Sequence, residues 1–113
     1  MATVSQTLNM AKSLYRNGDI TLAIDLLEHH LENENCGEIW ELLGVIYLVE
    51  NQTERATCAL EQSATLRQLS VGGHFALAEC YRRREFREGE CAIYLQLAGT
   101  SNTVTNVSER SLA

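Results

Sequence analysis

Apolar positions recur along this chain at helical spacing. In SLYRNGDITLAIDLLEHHL, residues Ile20, Ala23, Ile24, Leu27 and Leu31 return every three or four positions and therefore share one stripe of a helix. The helix before them stops at Asn17-Gly18, because glycine accepts the positive φ that closes a helix, and Asp19 is placed to cap the helix that follows. So short a turn folds the two helices back as an antiparallel pair. The same reading predicts helices near 38 to 50 and 53 to 68, then near 72 to 84 and 86 to 98, with turns at Asn51-Gln52 and Arg84-Glu85. No run alternates apolar and polar β-branched residues as a strand would, so the chain reads as all-α. One helix stands apart: WELLGVIYLV is apolar nearly all the way round, so a second face of it must also be covered, by core or by a ligand.

The pairs repeat. One constant backward shift carries Leu43, Gly44, Tyr47, Ala56 and Leu60 onto Met10, Ala11, Leu14, Ala23 and Leu27, with Gly18 at the intervening turn. A forward shift of nearly the same size brings Leu77, Ala78 and Tyr81 to the same places, and a one-residue deletion then aligns Phe86, Gly89 and Ile93. Small residues (Ala11, Gly44 and Ala78 on first helices; Ala23, Ala56 and Gly89 on second) would let paired backbones approach. The series, above all Trp40-x-x-Leu43-Gly44-x-x-Tyr47, resembles the tetratricopeptide repeat. That resemblance implies a right-handed solenoid of three antiparallel helix pairs in one domain, residues 1–98, with repeats at about 4–36, 37–70 and 71–98. The remaining GTSNTVTNVSERSLA, residues 99–113, is polar and predicts a flexible tail or a short capping helix.

Composition narrows the function. A formal net charge of −6 argues against general nucleic-acid binding, which depends on many Lys and Arg meeting phosphates. No apolar run is long enough for a membrane span and no secretion signal opens the chain, so a cytoplasmic location is expected. Cys36, Cys58, Cys80 and Cys91 form no C-x-x-C pair and read as free buried thiols, with no metal. His29 and His30 are adjacent, hence about 100° apart on a helix, and do not suit one metal. His74 and Cys80 lie six positions apart and lean to different faces, while Val71-Gly72-Gly73 lacks the Lys-Ser or Lys-Thr of a phosphate loop. Neither an enzyme nor a cofactor is expected.

The resemblance also implies that first helices line a concave groove. On its alignment Val45, Leu48 and Val49 face the groove, while Trp40, Leu43, Gly44 and Tyr47 pack within the solenoid. Neighbouring first helices would add Leu8, Lys12, Tyr15 and Arg16 on one side and Phe75, Glu79, Arg82 and Arg83 on the other, giving an apolar floor with basic ends. The family subclass that clamps acidic chaperone tails uses Lys, Asn and Arg at places held here by Leu8, Lys12, Leu42, Gly72 and Ala76, so that clamp is absent. The expectation is a module that binds a peptide or helix of a partner protein. Self-association as a scaffold and service as a small chaperone for a secretion substrate are the alternatives. Ile93, Tyr94, Leu95 and Leu97 would leave the last pair partly uncovered, which favours a weak homodimer.

Overall fold

A computed structural model describes residues 3–100. These form six helices and no strand: α1 Val4–Arg16, α2 Ile20–Asn33, α3 Gly37–Val49, α4 Thr53–Leu66, α5 Val71–Arg83 and α6 Arg87–Thr100. The odd helices begin at Val4, Gly37 and Val71 and the even ones at Ile20, Thr53 and Arg87, so one spacing governs both series. The predicted tail lies outside the described residues from position 101 onward.

Three turns have one geometry. Gly18, Asn51 and Glu85 occupy the left-handed region, with φ of 90°, 64° and 59°. Around them, Asp19 N–H donates to Leu14 O, Gln52 N–H to Tyr47 O and Phe86 N–H to Tyr81 O, at 2.8 to 2.9 Å, which satisfies carbonyls that a helix end leaves open. Asp19 stands at the start of α2 but makes no side-chain cap. Its own N–H is already committed to closing α1, and only its carbonyl enters α2, accepting from Ala23 N–H at 3.0 Å.

Each helix packs on the next in the chain, and α3 additionally touches α1 and α5. The even helices make no comparable contact with one another among the described residues. The core consists of Ala11, Ala23, Leu27, Ile39, Leu43, Ile46, Tyr47, Ala56, Leu60, Leu77 and Ala78, among others. Gly44 sits at the α3–α4 crossing: a Cβ there would lie 2.7 Å from Leu60 Cγ and 3.2 Å from Leu60 N, so only glycine permits this approach. Removing Leu60 itself, fully buried, would cost about 2 to 5 kcal/mol.

Polar bonds fix neighbouring elements. Ser63 Oγ donates to Gly37 O at 2.7 Å, joining the end of α4 to the start of α3. Glu41 on α3 accepts from Ser70 N–H at 2.9 Å and from Ser70 Oγ at 2.7 Å, and the same Ser70 Oγ accepts from Gly73 N–H at 3.1 Å. The start of α5 is thus capped by its own serine, held by a carboxylate from α3.

The third pair keeps the helix spacing and shifts its buried positions by the one residue that the alignment deletes. Arg87 begins α6 as far beyond Thr53 as Val71 lies beyond Gly37, so the helices themselves need no deletion. Yet among the described side chains of α6 the buried residues are Gly89 and Ile93, one position earlier than those matching Ala56 and Leu60. The buried stripe has turned by one position because the Phe86 and Tyr81 rings close over Gly89, where a Cβ would lie 2.5 Å from the Phe86 ring and 2.8 Å from the Tyr81 ring.

Candidate functional site

The face of α3 that bears Leu42, Val45, Ile46 and Val49 meets α1 along a groove of about 220 Å³, whose other wall carries Lys12, Tyr15 and Arg16. Helical spacing explains both walls. Residues 42, 45, 46 and 49 share one side of α3, and residues 12, 15 and 16 share one side of α1. Val49 is 56% exposed, an apolar side chain left open at the groove's end. Lys12 and Arg16 are exposed and, among the described residues, are the only charged groups lining the groove. Its physical character is an apolar floor under a cationic edge.

Of the residues expected from sequence, Lys12, Tyr15, Arg16, Val45 and Val49 come together here. Leu42 and Ile46 line the groove too, although they fall outside the expected set. Their signal is present in the sequence, since they stand three or four positions from Val45 and Val49 on the same helix. Leu48 is not in the groove. It is buried in the core, pointing about 100° away from Val49, and its carbonyl accepts from Asn51 N–H at 3.0 Å and from Arg83 Nη1 at 3.4 Å. Leu8 is half-buried against the core and does not line the groove.

The α5 residues form a separate group. Phe75, 53% exposed, tilts against Tyr94 of α6 with ring centroids 6.4 Å apart. Glu79 accepts hydrogen bonds from Arg82 Nε at 2.8 Å and from Arg83 Nε at 2.9 Å. These two arginines hold its carboxyl down at about 2, far below the ordinary 4.5. Arg82 and Arg83 therefore already have an anionic partner, and the run of arginines offers less free charge than its composition indicates. Arg83 also reaches Asn51 Oδ1 at 3.5 Å and so closes the carbonyl end of α3.

The remaining chemical candidates are dispersed. His30 Nδ1 lies 2.9 Å from Thr7 Oγ1, whereas His29 points to Glu32 at 3.6 Å. His74 and Cys80 are both buried; His74 Nδ1 meets Ser70 O at 2.9 Å, and burial pushes the Cys80 thiol up. A raised thiol is a poor nucleophile at neutral pH. The cysteines do not share one environment as expected: Cys80 is buried, Cys36 half-buried, and Cys58 on α4 and Cys91 on α6 are exposed. Among the described residues, no three His, Cys, Asp or Glu side chains gather as metal ligands, and no helix is long and apolar enough to cross a membrane.

No protein-family model, curated protein or solved structure matches the chain.

Proposed function

We propose that this chain is a non-enzymatic binding module of the tetratricopeptide kind, a right-handed solenoid of three antiparallel helix pairs that holds an acidic, apolar peptide or helix of a partner protein. The observation that carries this reading is the α1–α3 groove, with Leu42, Val45, Ile46 and Val49 as floor and Lys12 and Arg16 at the edge. Support for the repeat comes from the three matching turns and from the common spacing of helix starts in the odd and even series. The elongated shape, 53 × 28 × 24 Å, and the odd helices touching where the even ones do not, agree with pairs stacked around an inner face.

Selection of displayed peptides on the full chain tests the proposal. Enriched peptides should combine apolar residues with Asp or Glu, and their binding should weaken with salt. They should be lost on Val49→Glu, an exposed site where the substitution leaves folding intact. Peptides that bind the Val49→Glu chain equally well would remove the groove from the proposal.

A second reading has its own observation. Leu95 is 73% exposed, beside the exposed Tyr94, on the outer side of the last pair. Self-association through this end would produce a weak homodimer. Light scattering over a concentration range would then show a rising mass for the parent and one chain for Leu95→Lys.

A further inference from the structure

A hollow of about 530 Å³ lies on the opposite face of α3, where α2, α3 and α4 converge. Leu31, Trp40, Leu43, Tyr47 and Ala59 supply an apolar floor. Carboxylates stand on both sides: Glu28 and Glu32, one helical turn apart on α2, and Glu54 at the start of α4. Among the described residues Arg55 is the only cation lining the hollow, and its guanidinium carbon sits 5.9 Å from the centroid of the Tyr47 ring. The protein's own arginine thereby marks where a cation is held, over an aromatic face in a hollow that carboxylates line.

We propose that this hollow is a second binding site, for a basic amphipathic segment of a partner protein. Its apolar side chain enters over Trp40, Leu31 and Leu43, and its Lys or Arg groups meet Glu32 and Glu54. Charge complementarity selects this occupant. Carboxylates on both sides of an apolar floor, Glu28 and Glu32 on one and Glu54 on the other, match a helix whose apolar stripe is bordered by cations. The volume falls within the range of sites that bury a ligand group substantially. The site differs in sign from the α1–α3 groove, where Lys12 and Arg16 border the floor, and it stands or falls independently of it.

Trp40 is the only tryptophan of the chain, so its fluorescence reports this hollow directly. The probe is a synthetic peptide of leucine and lysine with leucines at three- and four-residue spacing, titrated into the full chain. A saturable change in Trp40 emission is expected, with no change from the peptides that carry Glu or Gln in place of Lys. Glu32→Gln with Glu54→Gln should weaken binding about tenfold. Glu85→Gln with Glu88→Gln, which removes equal charge outside the hollow, should alter it less than about twofold. Cys58→Phe, an exposed substitution at the hollow, should block the probe, and Arg55→Ala should tighten it by vacating the Tyr47 face. Equal weakening by both carboxylate pairs would reduce the effect to net-charge attraction and sink the site. Binding of the Gln peptide as tightly as the Lys peptide, or a Trp40 change that follows protein concentration without any peptide, would likewise overturn the assignment.

Discussion

The Tyr47 hydroxyl donates a hydrogen bond to Glu28 Oε2, tying α3 to the helix before it. The same bond recurs one repeat later, where Tyr81 donates to Glu61 Oε2 at 2.6 Å and ties α5 to α4. Tyr81 follows Tyr47, and Glu61 follows Glu28, by one repeat, so the junction between repeats is itself repeated. In each case a phenol at the end of an odd helix reaches a carboxylate on the preceding even helix.

Tyr47→Phe removes this donor while keeping the buried ring. A loss of about 1 kcal/mol is expected in urea unfolding, because the freed Glu28 carboxylate is exposed and regains water. The bond also has a pH signature. Burial, and then the Glu28 carboxylate, push the Tyr47 phenol up from 10.0 to about 12. Since the folded value is raised, its stabilisation is complete below pH 10 and fades as the pH climbs through about 12. Phenolate absorbance missing from Tyr47→Phe should therefore centre near 12; a centre at 10 would contradict both the burial of the phenol and its bond to Glu28.

Two glycines should respond oppositely. Gly44→Leu drives a side chain into Leu60 and its backbone and should cost about 1 to 3 kcal/mol or more. At Gly72, on the open side of α5, a Cβ meets nothing nearer than Ser70 Oγ at 3.8 Å. Gly72→Ala should be neutral or stabilising by less than about 1 kcal/mol. Thermal melts of the two variants decide between close packing and mere helix preference.

Glu85 holds the left-handed place that Gly18 holds in the first turn. A side chain in that region is disfavoured by roughly 1 to 2 kcal/mol, so Glu85→Gly should stabilise the chain by about 0.5 to 1 kcal/mol despite the added freedom of the unfolded state. A lower melting temperature for this variant would contradict the turn geometry.

Glu79 should resist protonation. Its folded value is depressed to about 2 by Arg82 and Arg83, so its contribution is present above about 4.5 and is lost as the pH falls through 2. Carboxyl chemical shifts followed by acid titration should place Glu79 near 2, and Arg82→Ala with Arg83→Ala should return it toward 4.5.

The sequence by itself determined the number of helices, their spacing and, where it placed them, their ends to within a residue or two. Those properties are local: apolar residues at three- and four-residue intervals define a stripe, Gly18 ends a helix, and small residues such as Ala11, Gly44 and Ala78 recur wherever backbones meet. Part of the groove was expected through the tetratricopeptide resemblance, whose alignment puts Val45 and Val49 on the side of α3 away from Leu43 and Tyr47. Only the tertiary structure decided between Leu48 and Val49. Both are aliphatic, they differ by about 100° on one helix, and which of them is covered depends on where the neighbouring helices arrive. The left-handed Glu85 was hidden because glutamate carries no sign of that conformation, and the turn is imposed by the helices it joins. Charge divided between the two. Glu79 stands three and four positions before Arg82 and Arg83 on one helix, so those pairs are local, whereas Arg83 bridging to α3 depends on packing between neighbouring helix pairs.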